Sequence, residues 1–260
     1  MATCKNCSFE FDGKFCPQCG QKAKTKRITT KTVWEEVRKS LVHYDQGFFY
    51  TMLQLLRRPG HAVRDYLEGK RVNHMKPVKF MIWTTALNFL IFHFLGLDQA
   101  MMQTLQEKQG NNKLGMEFSR YIFDHPSLVL LLLIPNIALF SWLFFRRSGY
   151  NYAEHFVLNA FLMGEVSLIG VISNPVYKLI GYDSNPTMFY ASTAVQMVVW
   201  VSYMGWGYTQ FFQPRRKWTG WLKSVLALLS GYFLLIIVVS ILVGLFVALF
   251  WPWIKPFVVQ

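Results

Sequence analysis

The sequence predicts an all-α integral membrane protein: about five transmembrane helices, preceded by a small cysteine-built module and by amphipathic interfacial helices. Three observations predict it. Hydrophobic residues make up 53% of the 260 positions and charged residues only 16%, too little charge to cover a soluble core of this size. Five apolar stretches, 80–97, 127–145, 153–172, 188–212 and 225–251, approach or exceed the roughly 17–25 residues that cross a bilayer. All four cysteines lie in the first 19 residues, so none staples a later loop.

Residues 1–22 read as a metal ribbon. Cys4 and Cys7 are two residues apart, as are Cys16 and Cys19. A two-residue gap lets one tight turn present two sulfurs to one tetrahedral ion, with turn amides pointing back at the thiolates. Pro17 and Gly20 suit such a turn, and Gly13 allows the reversal between the pairs. Four thiolates leave no open ligand position, which describes structural Zn2+. A disulfide pair and an iron or iron–sulfur site remain open by residue type. The N-terminus lacks an apolar signal-peptide core, so the thiols are expected on the reducing, cytoplasmic side. So short a module cannot bury a core, and metal binding and folding should be one event.

Residues 23–77 read as a basic amphipathic connector. Thr32 and Glu35 have the spacing of a capping box. Trp34, Val37, Leu41, Phe48, Met52 and Leu55 recur at near-helical spacing, with an irregularity at "DQG". Pro59-Gly60 should end that segment, and "HAVRDYLEGKR" reads as a second helix capped by Gly69. Arg57, Arg58, Arg64, Lys70, Arg71, Lys76 and Lys79 would face anionic lipid, each contributing on the order of 1 kcal/mol near a charged leaflet. The competing reading packs these helices on the bundle, leaving a solvated charged face.

The bundle occupies 78–260. Prolines 126, 175, 186 and 214 fall in expected loops, and Pro135 should kink the second span. Residues 1–80 carry 16 Lys/Arg against 7 Asp/Glu, and the remaining 180 carry 11 against 7. With the N-terminus inside, 13 Lys/Arg flank the spans on the cytoplasmic side and 5 on the other. Five spans then place the C-terminus outside. Ser240, Gly244 and Ala248 form a small-residue stripe suited to close helix packing, within the chain or in a homo-oligomer.

Chemistry within the spans would rest on Glu154, His155, Asn159 and Glu165. Glu165 falls near mid-span, where a carboxylate costs about 2.5 kcal/mol or more. Two readings compete. One is a polar path for a proton, ion or lipid headgroup. The other is a packed Glu165 bonded to Asn88, Asn136 or Gln196, with Glu154 and His155 at the wet interface. The sequence has no glycine-rich phosphate loop, Gly-x-Ser-x-Gly elbow or His-Glu-x-x-His.

Together "CKNC", "FCPQCGQ", "DQGFFYTMLQLLRRPG", "YLEGKR", Pro77 and "YAEHFVLNAF" resemble a family of multi-pass membrane proteins of unknown function with an N-terminal zinc ribbon, found in Gram-negative bacteria. The likeness covers residues 4–80 and loosely the membrane part. It implies a bacterial inner-membrane address and carries no activity. Relatives often continue "EH" with further histidines, where this chain has Asn159 and Ala160.

These readings favour a non-enzymatic inner-membrane interaction protein with a structural zinc module, partnered by anionic lipid and by a membrane or cytoplasmic protein. A transporter or lipid-handling protein using the Glu165 region is the alternative. A membrane enzyme and an RNA-binding module rank below both, since lipid explains the basic charges beside a bilayer more simply than nucleic acid does.

Overall fold

A computed structural model describes residues 1–39, 47–109, 113–181 and 186–258. Apart from a two-stranded hairpin it is helical. Strands β1 (Ala2–Thr3) and β2 (Glu10–Phe11) pair antiparallel. The connector holds α1 (Thr30–Lys39), α2 (Phe48–Arg57) and α3 (Pro59–Glu68). The bundle holds α4 (Pro77–Phe94), α5 (Leu97–Gln109), α6 (Lys113–Asp124), α7 (Pro126–Phe144), α8 (Tyr152–Leu179), α9 (Pro186–Phe212) and α10 (Lys217–Val258).

The expected capping box is displaced. Helix α1 starts at Thr30, and Thr29 Oγ1 accepts the Thr32 amide at 3.4 Å. Thr32 is therefore inside the helix and caps nothing. The capping box that forms is Asn151 with Glu154, opening α8. The Asn151 side chain accepts the Glu154 amide at 3.0 Å, and Glu154 Oε2 accepts the Asn151 amide at 2.8 Å. The "DQG" irregularity falls partly on Asp45 and Gln46, outside the described residues; Gly47 is the N-cap of α2.

Pro59 does break the connector, and it also opens α3, where its missing N–H costs nothing. Gly60 is demanded by packing: a Cβ there would lie 2.4 Å from the Gly207 carbonyl oxygen of α9. Its amide donates to Gln210 Oε1 at 3.1 Å. Gly69, at φ +118°, ends α3 as expected. Helices α2 and α3 are thus docked on the bundle by Leu55, Ala62, Val63 and Tyr66. One stripe of α2, Phe49, Leu53 and Leu56, stays exposed.

Helix α8 is the spine. It is the most buried of the long apolar helices, although Glu154, His155, Asn159 and Glu165 interrupt its apolar run. It runs on through Pro175 to Leu179, so that proline is inside the helix rather than in a loop. Helix α4 runs parallel to α8: Gly164 meets Phe80 and Met81, Thr85 bonds Ser167 at 3.2 Å, and Asn88 bonds Asn174 at 3.0 Å. Helix α9 runs antiparallel to it, from Gln196 beside Ser173 and Tyr177 to Tyr208 beside Asn159. Gly231 of α10 packs on Ile137 of α7.

Among the described residues, three helical segments are long and apolar enough to cross a membrane: Pro126–Phe144, Tyr152–Leu179 and Lys217–Ile241. A fourth candidate is the pair Pro77–Phe94 and Leu97–Gln106, bent by 76°. The expected span 80–97 is therefore broken at Leu95–Gly96, with Gly96 at φ +71°. The stretch 188–212 does form a helix, but with Gln196, Thr209, Gln210 and several tyrosines it is not among the segments long and apolar enough to cross. Helix α7 continues through Pro135. The Gly244 and Ala248 positions of the small-residue stripe lie outside the described side chains.

Candidate metal centre and buried polar groups

The two Cys-x-x-Cys turns fold as near copies. The Ser8 amide donates to the Cys4 carbonyl, and the Gly20 amide to the Cys16 carbonyl, each at 2.9 Å. Ser8 (φ +63°) occupies the left-handed position that Gly20 (φ +74°) occupies in the second turn. The amides of Asn6 and Cys7 approach the Cys4 sulfur, and that of Phe9 approaches Cys7. All four Sγ atoms lie within 4.8 Å of one another, with Cys4–Cys19 at 3.5 Å and Cys7–Cys16 at 3.6 Å. Disulfide sulfurs would sit about 2.05 Å apart. A tetrahedral ion with bonds of about 2.3 Å separates its sulfurs by roughly 3.8 Å, so the geometry fits one metal with every ligand position filled.

The ribbon is seated on the bundle through the segment that follows it. Arg27 places Nε on Glu154 Oε1 and Nη2 on Oε2, both at 2.7 Å, and the same nitrogen reaches the Gly149 carbonyl at 2.9 Å. These contacts, first the hydrogen bond and then the charge of Glu154, raise the Arg27 pKa. Asn151 Nδ2 donates to the Ile28 carbonyl, and Arg71 to the Lys26 carbonyl, both at 3.1 Å. A Cβ on Gly69 would lie 2.9 Å from both Lys5 Cδ and Thr25 Oγ1. Glu154 is therefore not a wet-interface residue; it is 4% exposed and locked into a cap and an ion pair.

The expected intramembrane site splits. His155 and Asn159 come together in one network. His155 Nδ1 meets Ser141 Oγ at 2.9 Å, Asn159 donates to the His155 carbonyl at 2.8 Å, and the Tyr208 hydroxyl donates to Asn159 Oδ1 at 2.8 Å. His155 stacks on Phe212 at 5.2 Å, and its Nε2 has no partner among the described residues. Glu165 stands apart, 2% exposed, with Oε2 unpartnered among those residues. None of its three expected partners reaches it. Asn88 pairs with Asn174, Gln196 accepts from Ser173 and Tyr177, and Asn136 donates to the Leu132 carbonyl of its own helix.

The seven connector cations also divide. Arg64 donates to the Gln210 and Phe211 carbonyls, closing the C-terminus of α9. Arg58 and Lys70 both pair with Asp65, at 3.1 and 2.7 Å. Arg71 bonds backbone carbonyls and lies over the Tyr66 ring at 5.4 Å. Lys79 is 5% exposed. Arg57 and Lys76 remain on the surface; Arg64 ties the connector to α9, whereas Arg58, Lys70 and Arg71 bond within residues 23–77. His74 is buried against Tyr50, Tyr66 and Phe161, and burial pushes its pKa down to about 4.

Sequence reasoning missed Arg27, Ser141, Tyr208 and Asn174. Asn151-x-x-Glu154 was a visible capping signal beside "EH"; Ser141 and Tyr208 carried none.

A family of proteins of unknown function (DUF3667) matches residues 45–89, which run from the start of α2 into α4. The match overlaps the second half of the 4–80 likeness, extends beyond it into α4, and does not reach the cysteines. No curated protein and no solved structure matched the chain.

Proposed function

We propose that this chain is a bacterial inner-membrane interaction and assembly protein, in which a structural zinc ribbon is held rigidly against the cytoplasmic end of a five-span bundle and catalyses nothing. One observation carries the reading. The four thiols form a closed site, and the segment leaving it is bound to the bundle at Arg27 and Ile28 and to the loop after α3 at Lys26. A ribbon so fixed presents a constant surface, on which Phe9 and Phe15 are exposed. Anionic lipid and a protein partner would meet this side. Purification from native membranes with identification of bound proteins tests it. A reproducible partner lost in Cys16→Ser supports the proposal; a metal-loaded protein that recovers none opposes it.

The fifth span is α9. It lies antiparallel to α8 over most of its length, so if α8 crosses the bilayer α9 crosses back. Five spans put the termini on opposite sides, and the excess of Lys/Arg on one side favours a cytoplasmic N-terminus and a periplasmic C-terminus. Single cysteines placed in a background lacking the native four test this. Positions 102 and 117 should label from outside in intact cells, and positions 147 and 216 should not. A tag after residue 260 that reports cytoplasm would remove a span.

A second reading, a transporter or lipid-handling protein, is favoured by Glu165, a buried carboxyl with an unpartnered oxygen on the central helix.

A further inference from the structure

Residues 22–27 and the loop after α3 wall a cleft of about 770 Å3. Six cations line it: Lys22, Lys24, Lys26, Arg27, Arg71 and Lys76. Among the described side chains, one carboxylate, Glu35, faces them. Arg27 is matched by Glu154, and the Arg71 guanidinium is occupied by the carbonyls of Tyr66, Leu67 and Lys26. The ammonium groups of Lys22, Lys24, Lys26 and Lys76 have no hydrogen bond or ion pair among the described residues. Thr25 Oγ1, in the same wall, is buried with no hydrogen-bond partner among the described residues. His74, also lining the cleft, stays neutral at pH 7 because burial holds its pKa near 4.

Lysines on an open surface are simply solvated. Here Arg71 pins two segments remote in sequence to each other through the Lys26 carbonyl, Arg27 fixes the first of them to Glu154 of α8, and their free ammonium groups come together around one concavity. Low-dielectric walls focus the resulting positive potential. Ammonium groups bind phosphate oxygens as point charges, and a threonine hydroxyl supplies a directed donor. Lys76 immediately precedes α4, where the chain enters the apolar bundle.

We propose that this cleft binds a phosphate-bearing anion, either the headgroup of an anionic phospholipid or a free phosphoester; its lipid arm rests on the membrane reading above. The full-length, metal-loaded protein in neutral detergent is titrated with short-chain phosphatidylglycerol, phosphatidylcholine and pyrophosphate. Phosphatidylglycerol should bind at least tenfold more tightly than phosphatidylcholine. The triple variant Lys22→Gln, Lys24→Gln, Lys26→Gln should weaken it at least tenfold with metal content unchanged. The variant Arg215→Gln, Arg216→Gln, Lys217→Gln removes the same charge elsewhere and should bind as wild type. Displacement of the lipid by pyrophosphate assigns the site to phosphoesters in general; failure to displace assigns it to the lipid. Equal weakening by both triple variants, or equal affinity for the two lipids, overturns the site. So does an RNA oligonucleotide that outcompetes both anions. Neutral micelles make this result independent of topology, which cysteine labelling decides separately.

Discussion

Arg27 and Glu154, 127 residues apart in sequence, share two hydrogen bonds of 2.7 Å in a fork-to-fork pair. The carboxylate side chain is 6% exposed and the guanidinium 59%. Glu154 also closes the cap of α8, so one carboxylate both starts the central helix and seats the metal ribbon. Arg27→Gln should therefore free residues 23–29 without unfolding the bundle. The loss should be about 2 kcal/mol, the scale of hydrogen bonds to a charged group, because the arginine is half in water. Arg27→Lys should recover little of it, since an ammonium cannot fork. Limited proteolysis within 23–29, compared with cleavage elsewhere, reads the effect.

The metal site makes a separate prediction. One zinc should accompany each chain, bound by Cys4, Cys7, Cys16 and Cys19. With a two-residue strand pair and one further bridge between Phe15 and Lys22, the ribbon has little else to fold on. A strong chelator should disorder residues 1–22 while α4 to α10 keep their helicity by circular dichroism. Iron in place of zinc, or a ribbon that survives removal of the metal, would contradict it.

The helices and the cysteine quartet were legible in the sequence because both are local signals: apolar run length and a two-residue ligand gap. The polar interior was not. Glu154 and Glu165 lie eleven residues apart on one helix face, which suggested one site, yet Arg27 claims the first and nothing described claims the second. The capping box shows the same limit. Thr32-x-x-Glu35 and Asn151-x-x-Glu154 carry equivalent patterns, but only the second coincides with a helix start set by packing. Charge count likewise suggested a lipid-facing connector, whereas Arg64 and Lys79 are used inward.

His74 should make the connector sensitive to acid. Burial lowers its pKa from 6.5 to about 4, with Asp65 opposing and Arg58 reinforcing the shift. The unfolded or undocked chain therefore takes up the proton first. Stability present above pH 6.5 declines as the pH falls toward 4, by at most about 3 kcal/mol. His74→Phe preserves edge contacts with Tyr66 and Phe161 and removes the titration. Thermal unfolding in detergent at pH 7.5 and pH 5 should show a smaller drop for His74→Phe than for wild type.

Glu165 gives the sharpest division between packing and function. A carboxyl kept for packing would hold a partner, and Glu165→Leu would then strand that partner and destabilise the bundle. Asn88, Asn136 and the Gln196 oxygen bond elsewhere, and Glu165 Oε2 has no hydrogen-bond partner among the described residues. Replacing a buried, incompletely bonded polar group by an apolar one of similar size is neutral or stabilising. Glu165→Leu and Glu165→Gln should therefore both assemble, with thermal midpoints equal to or above wild type. A drop of several degrees in Glu165→Leu alone would reveal a bonded partner and restore the packing role. If both variants fold normally and both fail to complement a deletion strain, the carboxyl itself is what the cell requires. Transport or lipid handling through α8 would then displace assembly as the leading function.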